Sequence, residues 1–290
     1  MLQIFISHRL AAWSSVLLFI TWLSLFMNER SFHPKPGSIE HIVDIRYWTP
    51  TLLSFTVTRP LTLSYLPGQY ARLGVDVNEQ VIWRAFSFVS APHETQLEFL
   101  AVLVPDGLFT ARLRELQMGD SLHVEHENYG FMTADRFSDA EDCWMLATGT
   151  GIGPYISMLR DPVLWTRFDR LVLVHGVRRE NELAYRDELE RLREQALADH
   201  RRARLMLVSC ISQQAQDVPE RMQIGSRITA AWDDGKLEAT TSLAITPERS
   251  RVMLCGNPQM IEDMRARLHK RGLVPCRKLV PGQFLTENYW

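Results

Sequence analysis

Arg84-Ala85-Phe86-Ser87 sets a permanent cation, a flat ring and a hydroxyl within four residues. On an extended strand Arg84 and Phe86 face the same side. A guanidinium able to neutralise a pyrophosphate then stands beside a ring able to stack on a flat heterocycle such as a flavin, with Ser87 placed to reach a ring nitrogen or carbonyl. A second run, Gly149-Thr150-Gly151-Ile152-Gly153-Pro154, follows a short apolar strand and opens a helix. Its glycines allow close backbone approach to phosphate, the helix start supplies free N–H groups, and Pro154 suits the first turn. The spacing is not G-x-G-x-x-G and no Lys-Ser/Thr pair follows, which disfavours ATP. The third run, Cys255-Gly256-Asn257-Pro258-Gln259-Met260, puts a small thiol and a glycine at a strand end, where a nicotinamide could approach another ring. Each run alone also reads as plain structure: a barrel strand, a tight strand–helix turn, a buried Cys before an Asn-Pro turn. Their order and wide separation imply two domains with a redox site between them.

The elements that must hold these runs differ on the two sides of about residue 140. From residue 43 to 126, apolar residues alternate with polar ones in short stretches (43–47, 53–57, 69–75, 81–90, 97–104, 121–126), punctuated by Pro60, Pro67-Gly68, Pro92 and Pro105-Asp106-Gly107. That texture, with one helical interruption near 108–116, predicts a small antiparallel β-barrel. From Cys143 the stretches 144–148, 171–175, 205–208 and 251–255 read as short buried strands, and helical patterns such as Leu189/Leu192/Ala196 and Ile261/Met264/Leu268 separate them. Such alternation predicts a parallel, Rossmann-like sheet with helices on both faces. Three divisions are expected: residues 1–38, a barrel domain over 39–137, and an α/β domain over 138–290.

A net charge of −2 gives no general nucleic-acid footprint, and the four cysteines (Cys143, Cys210, Cys255, Cys276) contain no C-x-x-C pair. That spacing excludes a zinc ribbon, the usual cysteine-bound iron–sulfur patterns and a thioredoxin-type dithiol, and free thiols suit a reducing compartment. His123 and His126 fall on opposite faces of a strand, so no metal site is expected. Residues 10–27 contain no charged side chain and reach the lower edge of a membrane span. They read as an anchor, a docked helix, or sequence upstream of a true start at Met27, and the last reading is preferred. A cytoplasmic location is expected, with inner-membrane attachment through this segment as the alternative.

Together the three runs resemble the bacterial ferredoxin/flavodoxin–NADP reductase family from about residue 40 onward. Supporting stretches are Leu66-Pro-Gly-Gln-Tyr70, Val104-Pro-Asp-Gly107, Trp144-Met-Leu-Ala-Thr-Gly149, Leu173-Val-His-Gly176 and the terminal Glu287-Asn-Tyr-Trp290. The resemblance implies an FAD-binding barrel followed by an NADP-binding α/β domain, and an enzyme coupling hydride exchange with NADPH to one-electron exchange with ferredoxin or flavodoxin. It places Arg84, Ala85, Phe86, Ser87, Leu100, Ala101, Val102, Leu108, Phe109, Thr110, Thr150, Tyr289 and Trp290 at FAD. Gly151, Gly153, Pro154, Val177, Arg178, Ser209, Arg227, Gly256, Asn257, Pro258 and Met260 would serve NADP(H), and Ser87, Cys255 and Glu287 would line the hydride-transfer site. Two positions depart from the family pattern, which has Tyr at Phe86 and a Ser-Arg pair at Ser209-Cys210. Loss of that Arg removes a charge-assisted bond of about 1.5–3 kcal/mol, which leaves use of NADH open beside NADPH. The acid-free cations Arg265, Arg267, Lys270, Arg271, Arg277 and Lys278 could steer an acidic carrier or simply be solvated. A monomer is expected. Two other readings are a NAD(P)H-dependent flavin or quinone reductase and a flavin-binding redox sensor without turnover.

Overall fold

The barrel pattern folds into six antiparallel strands, β1 (Gly37–Thr49), β2 (Leu52–Thr58), β3 (Tyr70–Val77), β4 (Gln80–Ser87), β5 (Gln96–Val102) and β6 (Ser121–Tyr129), in the order β4-β3-β6-β1-β2-β5. This computed structural model describes residues 37–199, 203–214, 216–277 and 280–288, so the apolar segment 10–27, Lys278, Tyr289 and Trp290 lie outside it. Among the described residues no helix is long and apolar enough to cross a membrane. Alternate residues of the strands, among them Phe55, Val57, Leu73, Val75, Phe99 and Val124, point inward and are buried. Helix α1 (Leu108–Glu115) closes one end by burying Phe109 and Leu113 against them.

The two outer strands, β4 and β5, come together where the Val89 N–H donates to the Glu98 carbonyl at 2.8 Å. An antiparallel continuation would set Ser87 against Leu100 and Ala85 against Val102. The strands do not pair there, and the barrel keeps an open seam.

The second half forms a six-stranded parallel sheet of β7 (Asp142–Thr148), β8 (Arg170–Val177), β9 (Arg204–Ile211), β10 (Gln223–Ile224), β11 (Ser250–Gly256) and β12 (Phe284–Asn288), ordered β10-β9-β8-β7-β11-β12. The middles of its central strands, such as Trp144–Ala147, Leu171–Val174 and Val252–Cys255, are apolar because both faces are covered. Cys143, Met145, Leu171 and Leu173 meet α2 (Gly153–Arg160), α3 (Pro162–Arg167) and α4 (Arg186–Ala198) on one face. Trp144, Leu146, Val172 and Val174 meet α5 (Ile228–Asp233), α6 (Lys236–Thr241) and α7 (Pro258–Lys270) on the other. The chain turns from β7 to β8 on one side and places β11 on the opposite side of β7. The carboxyl ends of β7 and β11 are therefore the switch point at which such sheets form a ligand crevice.

Barrel and sheet share a core. Leu52, Val89, Leu100 and Met132 of the barrel half cluster with Ile152, Tyr155 and Ile156. Around this apolar contact, the Ser157 hydroxyl donates to the Ser90 carbonyl at 2.7 Å, and Arg160 joins Glu98 of the barrel at 2.7 Å to Glu188 of α4 at 2.6 Å. The Tyr185 hydroxyl donates to the other Glu98 oxygen, and its ring lies 4.8 Å from Trp48. On the far face, Arg267 pairs with Asp233, and Arg271 pairs with Glu238 while covering the Trp232 ring. Two cations of the acid-free block thus tie α7 to its neighbouring helices.

Candidate functional site

The open seam of the barrel is a cavity of about 420 Å³ lined by Arg84, Ala85, Phe86 and Ser87 from β4, and by Leu100, Ala101 and Val102 from β5. Val104, Gly107, Phe109 and Thr110 close its base, and Thr150 and Gly153 reach in from the α/β half. The Phe86 ring is held by Phe55, Phe99 and Phe109 at centroid distances of 5.9, 6.3 and 5.1 Å. Arg84 stands exposed at the rim, with one guanidinium nitrogen donating to the Trp83 carbonyl at 2.7 Å. Apolar walls, a fixed ring, two strand edges that do not pair with each other and one rim cation suit a flat ring system carrying a phosphate tail. Leu108, expected at this place, is exposed and lies off the cavity wall.

A larger cavity of about 690 Å³ occupies the crevice at the ends of β7, β8 and β9. Thr148, Gly149, Thr150, Val177, Arg178, Cys210, Arg227, Asn257 and Met260 are among its walls. Thr150 and Val102 line both cavities, so the two spaces meet at these residues. The glycines around the crevice act mostly by letting the chain close on itself. A methyl on Gly151 would lie 2.6 Å from the Cys255 carbonyl oxygen, and one on Gly256, whose φ is +123°, would lie 2.5 Å from the Thr148 carbonyl oxygen. Gly151, Pro154, Gly256 and Pro258 shape the crevice without lining it, and Gly153 lines the first cavity instead. Ser209 faces away from the crevice into a separate small space, whereas Cys210 lines it. Asn257 caps α7, its side-chain oxygen accepting from the Gln259 and Met260 N–H groups, while its own N–H donates to the Thr148 hydroxyl at 2.8 Å.

Ser87, Cys255 and Glu287 are drawn around the 149–153 turn. Cys255 and Glu287 are cross-strand partners on β11 and β12. Ser87 is partnered on β3 by Tyr70, and a methyl on Gly130 would lie 3.2 Å from the Tyr70 ring and 2.6 Å from a Glu287 carboxylate oxygen. A methyl on Gly153 would lie 4.0 Å from the Ser87 Cβ. Cys255 is wholly buried behind the turn and lines neither cavity.

Comparison with known proteins agrees with this division. An oxidoreductase FAD-binding domain profile matches residues 47–128, and an oxidoreductase NAD-binding domain profile matches residues 145–266. The chain is 36% identical over 250 residues to a flavodoxin/ferredoxin–NADP reductase of Escherichia coli K12, covering 86% of this chain and 97% of that protein. A ferredoxin–NADP reductase of Pseudomonas aeruginosa is 33% identical over 253 residues, with 86% and 96% covered. The chain belongs to the ferredoxin/flavodoxin–NADP reductase family. A crystal structure from the same family, the ferredoxin NADP+ reductase of Neisseria gonorrhoeae with bound FAD and NADP, superposes with a TM-score of 0.81 at 33% identity, covering 88% of this chain and 99% of that one.

Within this reductase fold, three features lay beyond motif reading. Tyr70 sits beside Glu287 and stacks on Tyr129 at 5.5 Å, and burial, followed by the Glu287 charge, raises its phenol pKa. The Glu182 carboxylate lines the crevice while accepting from the Arg178 and Arg179 N–H groups. His175, near the end of β8, is 4% exposed, and its Nε2–H donates to the Gly149 carbonyl at 3.0 Å. The strand pattern marks His175 as interior, but only the fold shows what it meets.

Burial lowers the His175 pKa from its ordinary 6.5 to about 4, against the opposing pull of its bond to Gly149 and of Glu182. The unfolded chain therefore takes up this proton first as pH falls. Stability is full above pH 6.5 and declines toward pH 4, by up to about 3 kcal/mol from this group at 1.36 kcal/mol per unit. Urea midpoints at pH 7 and pH 5 are expected to differ less in His175→Gln than in the natural protein.

Proposed function

We propose that this chain is an FAD-dependent ferredoxin/flavodoxin–NADP(+) reductase, coupling hydride exchange with NADPH to one-electron exchange with ferredoxin or flavodoxin. The observation that carries this reading is the pair of adjoining cavities, one a ring-binding seam in a barrel and the other a switch-point crevice, sharing Thr150 and Val102 as a common wall. When bound, FAD supplies the two-electron and one-electron chemistry that no side chain here can perform. The chain's part is to hold and orient. Arg84 would neutralise phosphate at the rim, Phe86 would fix one ring face, and Ser87 would offer a hydroxyl at the inner edge. Arg178 and Arg227 would hold the phosphates of the nucleotide, and Asn257 and Met260 would flank its other end. Cys255 and Glu287 stand behind the turn at which the two ligands would meet.

The domain division at 39–137 and 138–290 and the choice of ferredoxin or flavodoxin as partner belong to this same reading. The Cys210 thiol is buried, and burial pushes its pKa up to about 12, so that wall of the crevice carries no charge. Discrimination for the 2′-phosphate then rests on Arg178 and Arg227. Anaerobic titration of the purified yellow protein tests the reading directly. NADPH should bleach the flavin band stoichiometrically, with NADH acting more weakly but measurably. A protein that binds flavin yet stays oxidised with both nucleotides would overturn it in favour of a sensor.

A further inference from the structure

His175 is set apart from its neighbours on β8. Leu171, Val172, Leu173 and Val174 are apolar and buried, and the strand then places an imidazole at the same depth. A buried polar ring at such a position is costly unless its hydrogen bond is made. Here it is made to Gly149, at 3.0 Å. A carbonyl only accepts, so the proton is on Nε2 and this nitrogen donates.

The acceptor matters more than the bond. Gly149 has a φ of +55° and is exposed, and a methyl there would meet nothing within 4 Å. Gly149 opens the short turn Gly149–Ile152, so its peptide plane is held by that turn on one side and by the His175 bond on the other. The peptide joining Gly149 to Thr150 is planar and trans, so its C=O and N–H point in opposite directions. With the carbonyl turned inward onto His175, the Thr150 N–H is turned outward. Thr150 is one of the two residues at which the cavities meet. One buried side chain thus joins the turn in setting the direction of a donor at the junction of both ligand spaces.

We propose that His175 is a positioning residue for hydride exchange, holding the Gly149–Thr150 peptide so that the Thr150 N–H faces the junction between the flavin and nucleotide cavities. This rests on the function proposed above. It goes beyond that function by giving a role to a residue that lines neither of the two main cavities.

The test uses the full-length, FAD-loaded protein with two substitutions, His175→Phe, which fills the space without a donor, and His175→Gln, whose amide can still donate to the carbonyl. Flavin content, KM and kcat for NADPH, and the rate of flavin bleaching after anaerobic mixing are read for each. His175→Phe is expected to retain its flavin while the KM for NADPH rises or the bleaching rate falls by about tenfold, the effect of one lost polar contact. His175→Gln should recover most of the loss. The proposal is overturned if His175→Phe matches the natural protein in both KM and bleaching rate. It is equally overturned if both variants lose flavin, nucleotide binding and thermal stability together, because His175 would then be a core residue and nothing more. The natural protein run alongside separates the two levels of argument. Bleaching of the natural protein with an unchanged His175→Phe sinks only the positioning role, whereas a natural protein that NADPH does not bleach sinks both.

Discussion

Gly256→Ala is expected to slow NADPH-driven flavin bleaching by roughly a hundredfold while leaving flavin bound. At φ +123° the backbone lies where side chains are rarely tolerated, and the added carbon would sit 2.3 Å from the Thr148 hydroxyl oxygen and 2.5 Å from the Thr148 carbonyl oxygen. Strain of about 1–3 kcal/mol for the backbone adds to an overpacking cost of about 1–3 kcal/mol. The backbone contact cannot be relieved by a rotamer change, so the ends of β7 and β11 must separate. Thr148 holds the Asn257 N–H, and Gly151 rests on the Cys255 carbonyl, so the separation displaces both the turn and the α7 cap. A misplacement of about 1 Å costs roughly a hundredfold in rate. The β4 and β5 walls of the seam lie outside this contact, which is why flavin should remain. Flavin stoichiometry together with stopped-flow bleaching checks the prediction, and an alanine variant with the natural KM and rate would remove the close approach from the account.

Arg160→Leu is the second large effect, and it acts on stability. Arg160 is 16% exposed and its guanidinium serves Glu98 and Glu188 at once, with Glu94 3.6 Å away. Burial disfavours its charge, but the carboxylates more than compensate and raise its pKa. Leucine would leave Glu98 and Glu188 facing each other without a cation, in a region where each is about four-fifths covered. Removing one member of such a buried group costs about 3–5 kcal/mol. At roughly 2–4 °C per kcal/mol for a chain of this size, the melting temperature should fall by about 6–20 °C. Restoring neutrality with Glu98→Gln and Glu188→Gln in the same chain should recover part of the loss. Recovery would show that the penalty comes from the stranded charges and not from the lost arginine stem.

The legibility of the chain followed how local each signal is. Strand and helix types were readable because burial on one face or two imposes different periods, as in Phe55/Val57 against Trp144–Ala147. The three motifs were readable because Arg84–Ser87, Gly149–Pro154 and Cys255–Met260 each occupy a single strand end. What the sequence could not show depends on contacts between distant segments. Ser209 and Cys210 are adjacent, yet strand alternation sends one away from the crevice and the other into it. Gly151 reads as a residue that makes room for phosphate, whereas its hydrogen atom faces the Cys255 carbonyl. The Arg160–Glu98–Glu188 group joins three elements with no common motif, and the inward tilt of the Gly149 carbonyl is visible only from His175.

The seam between β4 and β5 has a consequence for the life of the protein before any turnover. Strand edges that are left open invite pairing with other chains, and among the described residues β4 and β5 face each other across a gap without pairing to one another. A ligand held in that gap joins the edges from within and favours the native chain by mass action. Loss of the ligand would release the edges as well as the colour. Resistance to aggregation should therefore track flavin occupancy, and the same opening that admits a redox cofactor makes the barrel's closure conditional on having one.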